Sequence, residues 1–157
     1  MSRSGFSLTQ IDPSILALVK GTDHKILGAW ALDCAARVMP YFEAEHPRDP
    51  RPRTALEALQ AWMDTGVFRM ATIRKASLDS HAAAREVGVD NAARSAARAA
   101  GQAVATAHVP THCIGAANYA LQAVHRATRA RGAEAAVARE REWQHQRLLR
   151  LRKKATH

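Results

Sequence analysis

Aromatic residues are scarce in this chain, at 5% of its length. Runs of β-branched residues are missing as well. Strands draw on both kinds of side chain, so the two shortages argue against a β fold. Cysteine is limited to Cys34 and Cys113. These sit in the apolar contexts ALDCAAR and THCIGAA, where free thiols behave as small buried hydrophobes. Two such residues make no disulfide framework, which fits a reducing compartment. No apolar run approaches the ~20 residues of a spanning helix, so no membrane partner is expected. The start, MSRSGFSLTQ, has no secretory apolar core, and a cytoplasmic location is the expectation. Acidic residues are outnumbered, 14 against 23 Lys and Arg, leaving a formal net charge of +9. That balance favours acidic partners, whether nucleic acid, an anionic surface or an acidic protein. An Arg-rich solvated surface would give the same balance.

Alanine fills the space left by these shortages. The hydrophobic fraction is 47%, much of it alanine, the best helix former. The stretch from Asn91 to Ala130 is the extreme case, with Gly101 and Gly115 inside it. It reads as two helices meeting near Pro110, thin enough for neighbours to approach closely. Trp30, Phe42, Trp62, Phe68 and Trp143 on other helices would supply the bulk. The expected fold is all-α: a bundle of about six helices around this central pair. With 157 residues the chain fits one domain, with a core needing no staples. Residues 1–10 read as a flexible tail and 11–154 as the helical domain.

Local signals divide the chain further. Asp12 caps a short helix from Pro13 to Lys20, ended by Gly21. Thr22 or Asp23 starts a helix to about Ala44, whose apolar positions are Ile26, Leu27, Trp30, Cys34, Val38, Met39 and Phe42. After the proline-punctuated HPRDPRPR, either Asp49-Pro50 or Thr54 with Glu57 starts a helix to about Met63. A helix from roughly Arg69 to Val87 offers Ile73, Ala76, Leu78, Ala82 and Ala83 for burial. Asp90 is the expected cap of the central stretch and Gly132 its end. The last helix runs from Ala133 to about Lys153 and closes on a basic segment.

The polar residues that look placed rather than solvating are Asp33, Arg37, His81, Arg94, Gln102, Thr106, His108, His112 and Tyr119. They form a candidate cluster, either buried or lining a ligand site. Asp33 and Arg37 are four apart, which suits a surface ion pair or a half-buried pair facing the central helices. His108 and His112 have the i, i+4 spacing of one helix face. The segment HVPTH lacks the glutamate of HExxH, however, and Pro110 interrupts the register. Further metal ligands would have to come from Asp33, His24, His81 or Cys34. No glycine-rich phosphate loop and no GxSxG motif is present. Cys34 with His108 and Asp33 is the one conceivable nucleophilic set. Arg48, Arg51 and Arg53 in the proline loop form a candidate basic patch, and the C-terminal arginines and lysines another. Such residues bind nucleic acid through phosphates and without specificity. No nucleic-acid-binding motif accompanies them, so nucleic acid is possible but not favoured.

Several segments carry a resemblance: AWALDCAARVMPYFE, RPRTALEALQAW, SHAAAREVG, ARAAGQAVATAHVPTHCIGAANYALQAV and EREWQ. On these the chain resembles the immunity proteins assigned to bacterial polymorphic toxin systems, in the group related to the fifth-numbered immunity class. The resemblance implies an all-helical cytosolic protein that neutralises a cognate toxin, with neither catalysis nor cofactor. His108, His112, Asp33 and Arg94 would then be buried structural groups, hydrogen-bonded because they are buried. The basic balance implies a toxin with an acidic exposed face, so Arg51→Glu and Arg53→Glu should slow association. The alternatives are a small-molecule or metal site, or an enzyme, built on His108, His112 and Asp33. A homo-oligomer remains open.

Overall fold

Asp12 accepts hydrogen bonds from the backbone N–H groups of Ser14 (2.8 Å) and Ile15 (3.2 Å), and helix α1 (Pro13–Lys20) follows. The computed structural model describes residues 6–155. Six more helices complete it: α2 (His24–Glu45), α3 (Arg51–Thr65), α4 (Met70–Glu86), α5 (Ala92–Ala105), α6 (His112–Ala127) and α7 (Ala130–Ala155). The all-α expectation holds, and no strand occurs among the described residues. Among the described residues the helices number seven rather than about six. Short α1 is a full element because its Asp12 cap and the burial of Ile15 and Val19 hold it.

The alanine-rich pair lies at the centre. α5 packs against α2, α3, α4 and α6. Its buried residues, from Ala93 to Val104, are alanines apart from Ser95, Gly101 and Val104. Bulk comes from outside it: Trp30, Met39, Phe42, Leu59 and Leu148 are fully buried. Burying each such side chain stabilises by roughly 1.5–3 kcal/mol. Long α7 rests on α6 and α2 through few buried residues: Ala133, Val137, Gln144 and Leu148. Gln144 pins it. Its side-chain amide donates to the Ala117 carbonyl (3.0 Å), and its backbone carbonyl accepts from Trp30 Nε1 (2.8 Å).

Several boundaries differ from the sequence expectation. Asn91, not Asp90, caps α5 by accepting from Arg94 N–H (3.0 Å); Asp90 pairs with the Arg94 guanidinium instead (2.6 Å). Gly132 does not end the central stretch. α6 stops at Ala127, where Thr128 turns extended and donates its hydroxyl to the Val124 carbonyl (2.7 Å), so Gly132 falls inside α7. At α3, Asp49 rather than Thr54 supplies the start, accepting from Arg51 N–H (3.1 Å). Gly66 ends α3 in the left-handed region (φ 69), which glycine enters without steric cost. Leu78 and Phe68, expected to be buried, are exposed. Of the expected tail, residues 1–5 lie outside the described residues. Residues 6–10 lie along α6: Asn118 Nδ2 donates to the Leu8 carbonyl (2.9 Å), and the Phe6 ring lies 5.8 Å from that of His125.

Candidate functional site

The polar residues singled out in the sequence do not form one cluster. The first place is a seam over α5, where α4 and α6 flank it. There two glycines each make room for a polar side chain. A Cβ on Gly101 would stand 2.7 Å from His81 Nε2, and one on Gly115 2.7 Å from Gln102 Oε1. His81 can therefore lie flat on α5, and Gln102 flat on α6. Arg98 Nη1 donates to His81 Nδ1 (2.9 Å). An arginine only donates, so this nitrogen is an acceptor and the ring proton sits on Nε2. Burial, then Arg98, Arg85 and His112, push His81 down to about 4. Gln102 Oε1 accepts from His112 Nδ1 (2.8 Å), and burial followed by the charge of His108 lowers the His112 pKa. Ser77 and Ser80 close the α4–α5 contact by donating to the Gly101 (2.9 Å) and Ala97 (2.8 Å) carbonyls.

Asp33 and Arg37 lie elsewhere and do not pair with each other. Both face α7. Arg147 Nε donates to Asp33 Oδ2 (2.8 Å), and Arg37 grips Glu140 with two bonds (2.7 and 2.9 Å). The Arg37 guanidinium also lies 3.9 Å over the Trp143 ring. Four-residue spacing did place Asp33 and Arg37 on one face of α2, but α7 offers each an opposite charge. Glu140, Gln144 and Arg147 went unnoticed as partners in the sequence, although EREWQ contains the first two. Arg94 occupies a third place, bonding Asp90 and the Ala84 carbonyl (3.0 Å). Thr106 is fully buried, its hydroxyl on the Gln102 carbonyl (3.2 Å) and its own carbonyl bonded to His24 Nε2 (2.5 Å). Tyr119 is half-buried against the core.

His108 and His112 do not share a helix. α5 ends at Ala105, a turn carries His108, and α6 begins at His112. His108 is exposed, not buried, and its ring stacks on Phe68 at 6.0 Å. His112 is engaged with Gln102, and Asp33 with Arg147, so the imagined His108/His112/Asp33 set is not assembled. Among the described residues, no group of three His, Cys, Asp or Glu side chains could hold a metal ion. Cys34 and Cys113 are buried free thiols. Burial raises both, Cys113 to about 12, and a protonated thiol is a poor nucleophile.

In the proline loop, Arg51 is held by Asp49 (2.7 Å) and Glu86 (2.6 Å), and Arg53 by Glu43 (2.5 Å). Their charge is compensated, which leaves Arg48 as the one arginine of the three without a side-chain partner. The place that sequence reasoning missed lies at the start of α4. Phe68, Met70 and Leu78 are exposed there, beside a groove of about 310 Å³ that reaches Ala105 and His108 of the α5–α6 region. Met70, Arg74 and Leu78 recur every four residues, one outward stripe. That spacing was legible, but Leu78 was assigned to the core because it is apolar.

Comparison with curated proteins gives no match, and neither does comparison with solved structures. A family model does match, over residues 17–151, from within α1 to near the end of α7, and by that match the chain belongs to the Imm-5 like putative immunity protein family.

Proposed function

We propose that this protein is a non-enzymatic immunity protein that binds and neutralises a cognate bacterial toxin in the cytoplasm. The observation that carries this reading is the family match over residues 17–151, which takes in all the helices but the first few residues of α1 and the last few of α7. The site geometry supports it. His81, His112 and Asp33 are turned onto neighbouring polar side chains, while His108 stacks on Phe68. Both thiols are buried with raised pKa values. The formal charge of +9 supports a partner with an acidic exposed face, since complementary potentials steer association.

The test begins with affinity capture of the tagged chain from nuclease-treated native lysate, followed by mass spectrometry. The expected result is one protein at stoichiometric yield. Expressed alone it should stop growth, and co-expression of this chain should restore growth. A captured protein that is harmless by itself, or whose toxicity the chain leaves unchanged, would overturn the reading.

A further inference from the structure

Nine large apolar side chains are exposed among the described residues, and three of them, Phe68, Met70 and Leu78, belong to one segment of fewer than a dozen positions. Two more, Val67 and Val109, are the chain neighbours of Phe68 and His108, whose rings stack. So five of the nine lie along the α3–α4 turn, the outer face of α4 and the α5–α6 turn. Clustering of this kind marks interaction sites, whereas scattered exposed apolar residues need no explanation. The groove between them is bounded by Met70, Leu78 and Ala105, with buried Ile73 as its floor.

Charge says what fits. Arg69 and Arg74 are exposed, and neither side chain has an ion-pair or hydrogen-bond partner. Several other arginines are committed: Arg51 and Arg53 to carboxylates, Arg94 to Asp90, Arg98 to His81. The nearest acid on α4, Asp79, is taken by Lys75 (2.6 Å). An apolar groove with unpaired Arg74 in its wall, and unpaired Arg69 next in sequence to its Met70, suits an apolar side chain bordered by carboxylates. A second copy of this chain, itself strongly basic, is a poor occupant because like charges oppose approach.

We propose that the α4 groove is the toxin-docking surface. It receives a large apolar side chain of the toxin, while Arg69 and Arg74 pair with acidic residues beside that anchor. This rests on the toxin-binding reading above, and the test has two arms so that the two can fail separately. The first arm needs no toxin. The full chain, labelled at its methionine methyls, is titrated with a capped amphipathic peptide of Leu and Glu, then with its Leu and Lys counterpart. The Met70 methyl should shift saturably with the Glu peptide alone, and the shift should vanish in the Arg69→Glu/Arg74→Glu variant, whose altered side chains face solvent. Equal response to the Lys peptide, or no response at Met70, overturns the proposal. So does a concentration-dependent dimer that Leu78→Glu abolishes, because the groove would then be closed by a second copy. The second arm uses the captured toxin. Leu78→Glu should weaken its binding at least about tenfold, with Arg139→Glu, exposed on α7, unchanged and melting preserved in both. Toxin binding untouched by Leu78→Glu removes the docking proposal and leaves the immunity reading standing. Loss of the immunity reading leaves the peptide arm to decide on the groove.

Discussion

Acidification should destabilise this protein through His81, and the size of the effect follows from its seat on α5. In the folded state the ring accepts from Arg98 and is held down to about 4 by burial and by neighbouring positive charge. Unfolded, it returns to about 6.5. The unfolded chain therefore binds the extra proton first, and stability contributed by neutral His81 is present above pH ~6.5 and lost as pH falls toward ~4. Between pH 7 and pH 5 the loss comes to roughly 2 kcal/mol, by linkage between those two values. In a protein of this length that lowers Tm by about 4–7 °C. Protonation also leaves Nδ1 unable to accept, so Arg98 loses its partner. The control is His81→Asn, whose amide oxygen can still accept from Arg98 but does not titrate. Calorimetric melts of both proteins at pH 7 and pH 5 should give a steeper fall for the parent, by several degrees. His112 and the carboxylates contribute to both chains and cancel in the comparison. Equal falls, or a His81 ring signal titrating near pH 6.5, would refute the reasoning.

Gly101→Ala should lower stability in thermal melts by about 1–2 kcal/mol, because overpacking against the His81 ring outweighs the helix-propensity gain. In a His81→Ala background the same change should stabilise, and without that sign reversal the close approach does not matter. Gly115→Ala should break the Gln102–His112 bond, read in NMR as faster solvent exchange of the His112 Nδ1 proton; an unchanged proton would show that Gln102 can move aside without losing it. Arg37→Ala should cost about 1 kcal/mol from a part-exposed ion pair and a cation–π contact, read as early loss of α7 protection in hydrogen exchange. Cys34 and Cys113 should resist a thiol reagent at pH 8 in the native protein and react together on unfolding; rapid native labelling of either contradicts their burial.

The helical frame was legible because its signals are local. Alanine content, Asp12 before Pro13, and Gly21 after Lys20 each act through the few residues around them. The misplaced boundaries arose where two adjacent residues could serve. Asp90 and Asn91 are both good caps. Asn91 takes the role while Asp90 reaches Arg94, whose guanidinium also caps the α4 carbonyl of Ala84. Gly132 misled for a related reason. A glycine commonly ends a helix, but Thr128 had already broken α6 four residues earlier.

Side-chain pairing was far less legible, because it depends on which helices meet. Asp33 and Arg37 form a well-spaced pair on one helix, yet a single-helix pair of this kind is worth only a few tenths of a kcal/mol. When α7 packs across α2 it offers Arg147 and Glu140, and each new pair also anchors a helix that buries little apolar surface of its own. The tertiary pairing therefore displaces the local one. The same logic explains His108 and Leu78. Helical spacing puts Leu78 on a face but does not say whether a neighbour covers that face. α4 packs mainly on α3 and α5, and Met70, Arg74 and Leu78 on it are exposed. An outward apolar stripe of this kind looks, in the sequence of one chain, like core that lacks its second half.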